Sequence, residues 1–363
     1  MWLRDFHIDA LRLDAIHAIK DYSSNPLVSE LADAVAAYNT ATNSRKYLIA
    51  ETDLNDTRVI KTKIEGGYGV DAQWCDEFHH SLRVATGQDR TGYYSDFDGV
   101  ADFATSYKNA YVYTGQYSEE RHRNFGTSTQ GIPSDKFVVF SQNHDQIGNR
   151  VFGERTAQLL SVAQLKLAAM AVLTSPYIPL IFMGEEWAAS TPFQYFVDHS
   201  DRALLKAIEE GRKREFSFAG NVQLPIAHDL NTFENSKLVW QEQTEGIHAA
   251  MLRFYKFLIQ LRKSHPVFKN NNRDDIAVIN DEDTQVIIVE RLYEAHRLTI
   301  VLNFSADIAT VLLRDIDATS RIILDTSAEN YISQDIQFSE EITTTFTIRP
   351  NSAILISNHH VHP

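Results

Sequence analysis

Cysteine is nearly absent from this sequence, since Cys75 is the only one among 363 residues. No disulfide can form within the chain, so the core must be held by apolar burial, which a chain of this length can supply. A lone thiol is typical of proteins from reducing compartments. The sequence therefore predicts a cytoplasmic protein.

Long apolar runs are also absent. The most apolar helical stretch covers only residues 165–173, whereas a transmembrane helix needs about 20 residues. The N-terminus lacks the basic region and the apolar stretch of a signal peptide. We therefore expect no membrane partner.

Basic residues are in deficit: 34 Lys and Arg stand against 48 Asp and Glu, for a formal net charge of −14. An acidic surface repels phosphate backbones, so nucleic acid is not the expected partner. A neutral or cationic ligand fits this charge better. The composition gives no indication of an oligomeric state.

Short apolar segments alternate with helical patterns over the first 265 residues. The alternation predicts a parallel sheet whose outer face is covered by helices. A long helix from about Gly246 to Arg262 ends this region at His265-Pro266. The predicted strands cover residues 6–14, 47–50, 70–74, 137–140 and 177–182, and the other predicted helices cover residues 27–38, 77–86 and 161–173.

After Pro266 the pattern changes to short strands separated by polar turns, which is typical of an antiparallel β-sandwich. These strands include Thr310–Leu313 and Thr343–Ile348. The sequence predicts two domains, residues 1–265 and 266–363, with the boundary in the polar segment that runs to Arg273.

Three carboxylates, Asp14, Glu51 and Asp145, each follow a predicted strand. The carboxyl ends of parallel strands are where β/α barrels build their active sites. Arg12 shares a strand face with Asp14, because side chains alternate along a strand, and its cation would keep that carboxylate ionised. Glu51 follows an apolar run directly, where burial would favour the protonated form that a general acid needs.

Each carboxylate also has an ordinary structural explanation, such as a surface ion pair or a loop residue. Two carboxylates flanking one bond are the minimum equipment for glycoside hydrolysis. Several carboxylates around one site also fit hydrolases that use divalent metals. The residues alone leave both interpretations open.

Three segments resemble signature regions of the α-amylase family, glycoside hydrolase family 13. They are Asp9-Ala10-Leu11-Arg12-Leu13-Asp14-Ala15-Ile16-His17, Ile49-Ala50-Glu51 and Asn143-His144-Asp145. The resemblance implies an α/β fold comprising strands four to eight of a (β/α)8 barrel, followed by the antiparallel β-sandwich domain. It implies that Asp14 is the nucleophile, Glu51 the general acid/base and Asp145 the transition-state stabiliser. It further implies that Arg12 partners the nucleophile, that His144 binds substrate hydroxyls, and that neither a metal nor a cofactor is required.

Longer segments resemble the trehalose-releasing members of this family. This second resemblance implies retaining hydrolysis of the α-1,4 bond next to the terminal trehalose unit of a malto-oligosyltrehalose. The segments that carry this resemblance are residues 50–56, 66–74, 76–80, 182–187 and 190–196. The further residues that we predict to contact the substrate are His17, Asp53, Trp74, His79, Gln146, Glu186 and Trp187.

The family's first signature region, at the end of its third barrel strand, has no counterpart in this sequence. We therefore expect an N-terminally truncated form. The alternatives are another family enzyme, such as an α-amylase or a branching enzyme, and a non-catalytic α-glucan-binding remnant.

Overall fold

A five-stranded parallel sheet organises the first half of the chain and confirms the predicted one. The computed structural model describes residues 1–217, 220, 222–313, 319–328, 339–341 and 345–359. The strand order of the parallel sheet is β1-β2-β3-β6-β7. The strands are β1 (Ala10–Leu13), β2 (Tyr47–Ala50), β3 (Ala72–Trp74), β6 (Phe137–Val139) and β7 (Ile178–Pro179), and a small hairpin of β4 (Tyr117–Ser118) and β5 (Arg123–Asn124) lies between β3 and β6 in the chain.

Helices connect these strands and pack outside the sheet. Leu48, Phe137 and Val139 of the sheet belong to the same buried cluster as Phe78, Leu167 and Leu258 of the helices. The helices are α1 (Leu27–Thr42), α2 (Asp76–Ala85), α3 (Gly99–Asn109), α4 (His144–Gly148), α5 (Thr156–Leu159), α6 (Val162–Leu173), α7 (Arg202–Glu215), α8 (Leu230–Asn235) and α9 (Gly246–Ser264).

Helix α6 illustrates how sequence determines these elements. Ser161 caps its start, because the Ser161 hydroxyl accepts from the Gln164 N–H (3.3 Å) while the Gln164 side chain accepts from the Ser161 N–H (2.9 Å). This reciprocal cap satisfies two backbone donors that the first helical turn leaves free. Every residue from Lys166 to Leu173 is buried, as expected for a helix that is apolar on all sides. No helix in the described part of the chain is long and apolar enough to cross a membrane.

The C-terminal part is antiparallel. A six-stranded sheet has the order β13-β12-β15-β10-β9-β8, and β11 pairs with β14 in a two-stranded sheet. In the middle of the larger sheet, β10 pairs with β15 on one side and β9 on the other. The strands are β8 (Ile276–Asp281), β9 (Val286–Tyr293), β10 (His296–Asn303), β11 (Ala309–Leu312), β12 (Arg321–Asp325), β13 (Ser339–Glu341), β14 (Thr345–Ile348) and β15 (Ser352–Ser357).

The two parts share one apolar core. Its buried side chains come from α6 and α9 and equally from β9, β10 and β15. Arg291 of β9 is 2% exposed and donates to the carbonyl oxygens of Thr174 (2.8 Å) and Ser175 (3.0 Å), between α6 and β7. Arg262 of α9 also donates to the Ser175 carbonyl (2.7 Å). The domain boundary at residues 265/266 stays a prediction.

Most predicted strands differ from the observed ones by one or more residues at their ends, and three of them show why. The first begins at Ala10 and not at Phe6, because the preceding residues form turns such as that closed by the Asp5 N–H and the Met1 carbonyl (2.7 Å). The strand expected over residues 177–182 shortens to β7, where Pro179 contributes no backbone donor. The strand expected from Thr343 begins at Thr345, and residues 342–344 lie outside the described residues.

Candidate active site

Asp14 and Glu51 lie side by side because β1 and β2 are neighbours in register. Leu13 pairs with Ala50 at the ends of the two strands. The pairing continues one residue further, since the Glu51 N–H donates to the Leu13 carbonyl (2.9 Å) and the Ile16 N–H donates to the Glu51 carbonyl (3.1 Å). The backbone therefore holds the two candidate catalytic carboxylates at the same edge of the sheet.

The Arg12 guanidinium joins the two carboxylates. Its Nη1 lies 2.7 Å from Asp14 Oδ1 and its Nη2 lies 2.8 Å from Glu51 Oε2. The Asp14 side chain is 78% exposed, whereas that of Glu51 is 18% exposed. One carboxylate is thus open to an incoming ligand while the other is largely withdrawn from water, and a single cation orients both.

Ala15 adds a second support for Glu51. Its backbone has the left-handed conformation, with φ 40° and ψ 50°, and its N–H donates to Glu51 Oε2 at 2.7 Å. A left-handed conformation at a residue with a Cβ costs about 1 kcal/mol or more and clusters at functional sites. The turn after Asp14 therefore points a backbone donor at the neighbouring carboxylate.

Trp74 connects this pair to the third carboxylate. The Arg12 Cζ lies 4.4 Å from the centroid of the Trp74 ring, which is a cation–π contact. The same ring is 6.1 Å from the His144 ring, centroid to centroid. His144 and Asp145 begin α4, the next element after β6, and His144 Nε2 lies 3.4 Å from Asp145 Oδ1.

Helix α4 is fixed at its start by Asn143. The Asn143 side-chain oxygen accepts from the N–H groups of Asp145 (2.8 Å) and Gln146 (3.3 Å). The Gln146 side chain accepts in turn from the Asn143 N–H at 2.9 Å. This reciprocal cap fixes the backbone at Asp145, whose side chain is 43% exposed.

A fourth carboxyl group, Asp76, belongs to the same cluster although the sequence analysis did not select it. It is the first residue of α2, directly after β3. Burial raises the pKa of Asp76 to about 7, and the negative charges of Glu51, Asp53 and Asp145 act in the same direction. A sequence signal was present, because Asp76 follows its strand end as Asp14, Glu51 and Asp145 follow theirs.

His79 lies behind the site and not on its surface. The residue is 2% exposed. Its Nδ1 lies 2.6 Å from the Ser141 carbonyl oxygen and its Nε2 lies 3.3 Å from the Tyr94 hydroxyl. Burial lowers the pKa of His79 to about 3, so the ring is neutral near pH 7. Both ring nitrogens therefore have protein partners.

The remaining predicted contacts divide into two groups. His17 and Asp53 lie together beside β1 and β2, with His17 Nδ1 3.7 Å from Asp53 Oδ1. Glu186 and Trp187 follow β7, at the opposite edge of the sheet from β1. Trp187 is buried with its ring centroid 5.3 Å from that of Trp240, and the half-buried Glu186 holds one carboxylate oxygen without a hydrogen-bond partner.

The arrangement offers two carboxylates of unequal exposure on one cation, with a third carboxylate beyond an aromatic ring. Within the described ranges, no three His, Cys, Asp or Glu side chains converge in a group that could hold a metal ion. An exposed carboxylate beside a withdrawn one suits a reaction in which one group attacks and the other transfers a proton.

Comparison with known proteins shows that the chain is similar in sequence to a group of curated enzymes. It is 44% identical to the malto-oligosyltrehalose trehalohydrolase of Saccharolobus solfataricus over 264 residues. This matched region covers 73% of this chain and 44% of that protein. It is 39% identical over 310 residues to the protein of the same name from Mycobacterium tuberculosis, covering 84% of this chain and 53% of the relative. The chain thus spans about half the length of the curated relatives that it matches.

Solved structures give the same answer for the fold. A structure from Salmonella typhimurium, whose description assigns it to the alpha amylases, superimposes with a TM-score of 0.83 at 29% identity, over 98% of this chain and 58% of that one. Trehalose-6-phosphate hydrolase from Bacillus licheniformis shares the fold with a TM-score of 0.58 at 17% identity, over 96% of this chain and 65% of that one. No protein-family model matches the chain. The sequence relatives and the shared fold together establish that this chain belongs to the α-amylase family.

Proposed function

We propose that the chain acts on malto-oligosyltrehaloses and hydrolyses the α-1,4-glucosidic bond next to their terminal trehalose unit. The supporting observation is the shared guanidinium of Arg12, 2.7 Å from Asp14 and 2.8 Å from Glu51 at the ends of adjacent parallel strands. The relatives named malto-oligosyltrehalose trehalohydrolase supply the choice of substrate. The lone, buried Cys75 fits the cytoplasmic location that we propose with this function.

The mechanism that we propose is a double displacement with retention of configuration. Glu51 protonates the glycosidic oxygen while Asp14 attacks the anomeric carbon, and the trehalose unit leaves. Glu51 then takes a proton from water, which attacks the same carbon and frees Asp14. Asp145 binds ring hydroxyls more tightly as the sugar flattens, which is stabilisation specific to the transition state.

A second candidate function is glucan binding without turnover. It is favoured by the 78% exposure of Asp14, because a nucleophile that stays this open leaves the developing charges in contact with water. In that case the chain binds maltooligosaccharides, and Asp14→Asn leaves their affinity unchanged.

The test is incubation of the chain with maltotriosyltrehalose, followed by chromatography of the products. Release of trehalose and maltotriose, abolished by Asp14→Asn, supports the proposal. Release of glucose or maltose without trehalose replaces it with an α-amylase, and new 1,6 linkages replace it with a branching enzyme. Binding without any product favours the second candidate.

A further inference from the structure

Helix α7 lies in the segment between β7 and α9 and is held by few side chains. None of its 14 residues is buried. Two of its ion pairs stay inside the helix, since Lys213 Nζ lies 2.6 Å from Glu209 Oε1 and Lys206 Nζ lies 3.8 Å from Glu210 Oε1. A helix that buries no side chain gains little from packing, so specific contacts must fix its position.

Arg212 of α7 reaches across to α4. Its Nη2 donates to the Gly148 carbonyl oxygen at 3.2 Å. Its Cζ lies 4.9 Å from the centroid of the Tyr195 ring and 4.8 Å from that of the Phe216 ring. The side chain is only 16% exposed, although its helix lies at the surface. Because two aromatic rings contact the planar guanidinium, the direction in which it donates is restricted.

The acceptor of this hydrogen bond is the last residue of α4. Gly148 is buried, and the final carbonyl groups of a helix have no partner within the helix. A cation at this end also suits the helix dipole. The Asn149 N–H donates to the Asp145 carbonyl (2.8 Å), so the turn that Arg212 contacts is the turn that begins at Asp145. A helix of five residues is barely stable by itself, so contacts at its ends decide its order.

A backbone contact attaches the same segment to the loop after α4. The Phe193 N–H donates to the Gly153 carbonyl oxygen at 2.8 Å. Gly153 has φ 69°, and a Cβ at this position would lie 2.6 Å from the Phe193 carbonyl oxygen, so the two chains pass too closely for any other residue. Tyr195, which contacts Arg212, follows two residues later. The approach to α7 is therefore anchored beside α4 before the helix begins.

We propose that α7 acts as a strap across α4, in which Arg212 is a positioning residue for Asp145. Asn143 fixes the start of α4 and Arg212 fixes its end, so the backbone at Asp145 is held from both sides. Arg212 acts on the reaction through the α4 backbone. Its catalytic effect rests on the proposed function, because Asp145 stabilises a transition state only if the chain hydrolyses the glycosidic bond.

Hydrogen exchange of the α4 amides, followed by mass spectrometry of the full chain, tests the strap without any substrate. Arg212→Ala is expected to speed exchange at residues 144–149 about tenfold, because the α4 hydrogen bonds open more often once its end is released. The matched control is Lys213→Ala, which removes a cation that pairs with Glu209 on the same helix. Its exchange in α4 is expected to equal that of the parent. Unchanged exchange in Arg212→Ala overturns the strap.

Steady-state kinetics with maltotriosyltrehalose tests the positioning role. Arg212→Ala is expected to lower kcat about tenfold while KM changes less than about twofold, because Asp145 is proposed to act mainly in the transition state. Arg212→Lys keeps a charged donor for the Gly148 carbonyl and is expected to lose only about threefold, while Lys213→Ala keeps the parental values. A raised KM at parental kcat, or a lysine variant as impaired as the alanine one, overturns the role.

The two measurements distinguish this inference from the proposed function. If the parent releases trehalose and Arg212→Ala releases it at the parental rate, the positioning role is wrong and the function stands. If the parent releases no trehalose, the function falls, and the exchange of the α4 amides alone decides whether α7 is a strap. Faster exchange in α4 together with a lower kcat, both confined to the Arg212 variants, supports the strap and the function.

Discussion

Arg12 is the residue on which the strand-end carboxylates converge. Its planar guanidinium presents two nitrogens at once, so Nη1 donates a hydrogen bond to Asp14 while Nη2 forms an ion pair with Glu51. The Trp74 ring beneath it restricts the guanidinium plane. Such a three-way contact depends on shape as well as on charge.

Replacing Arg12 should therefore impair catalysis beyond the loss of one charge. Arg12→Ala is expected to lower kcat/KM for maltotriosyltrehalose by on the order of 100-fold. Arg12→Lys should recover little of this loss, because one ammonium cannot reproduce the planar contact with both carboxylates. Steady-state kinetics checks this, with Arg4→Ala as the control, since Arg4 is 71% exposed and pairs only with Asp5 in the described structure. Wild-type kinetics in Arg12→Ala would contradict the assignment.

Asp76 makes the stability of the protein depend on pH. Its pKa is about 7 in the folded protein, against an ordinary value of 3.8 that the unfolded chain should approach. Between these values the folded state holds a proton that the unfolded state has released, so the free energy of unfolding falls as pH rises from about 4 to about 7. Above that range this contribution is constant.

Asp76→Asn removes the ionisation. At pH 8 the variant should be more stable than the parent by on the order of 2 kcal/mol, and at pH 4 the two should differ little. The gain is reduced by the loss of a favourable charge in the first turn of α2. Urea unfolding at both pH values measures the difference, and Asp98→Asn, at a side chain 85% exposed, is the control. A variant less stable than the parent at pH 8 would be the contrary result.

At the scale of the element, α4 is a short helix whose first turn carries Asp145, the proposed transition-state stabiliser. Only five residues are helical, so the cap that Asn143 provides is a large part of what fixes Asp145. Among the described residues the buried Asn143 amide nitrogen has no hydrogen-bond partner, whereas its oxygen accepts both cap bonds.

Asn143→Ala should lower the free energy of unfolding by about 1 kcal/mol. It should also reduce kcat more than it raises KM, because Asp145 is proposed to act mainly in the transition state. Asn143→Ser keeps a side-chain oxygen acceptor and should retain most of the activity. Equal losses in the alanine and serine variants would show that the cap is not the cause.

The elements also show what sequence alone could predict. Sequence alone could predict the five strands, the long helix α9 and the change to antiparallel strands. Each shows apolar residues at the period of its secondary structure and is bounded by polar or turn-forming residues. Strand ends were less predictable, since local turns occupy the segment before Ala10 and Pro179 lacks the backbone donor that a longer β7 would need. The three carboxylates followed from their strand ends. The burial of His79 and Trp187 could not be predicted from the sequence, because packing between distant segments decides which aromatic side chains reach a cleft.

At the scale of the whole molecule, Arg291 joins the β-sheet of the C-terminal part to the barrel part. Burial lowers its pKa to about 9, yet it still donates to two carbonyl groups between α6 and β7. A buried cation that spans two parts in this way couples their unfolding, because its loss removes a donor from the Thr174 and Ser175 carbonyl groups of the other part.

Arg291→Met should consequently destabilise residues far from the substitution. We expect a loss of about 3 kcal/mol, seen equally by circular dichroism and by tryptophan fluorescence. All four tryptophans lie before residue 265, so fluorescence reports only on the barrel part. Arg297→Met on the neighbouring strand, where Arg297 pairs with Glu290 of the same sheet, is the matched control. An unchanged fluorescence midpoint in Arg291→Met would mean that the two parts unfold independently.

The register of β1 against β2 has a consequence for how this molecule can be monitored. The strands are four residues long, and the bonds that bring Glu51 beside Leu13 and Ile16 continue their ladder. A slip of one residue would turn Arg12 and Asp14 to the opposite face and replace them with Leu13. A misaligned molecule would keep most of its secondary structure and still lack the candidate active site. Active-site titration would therefore count the correctly aligned molecules in a preparation, which circular dichroism cannot do.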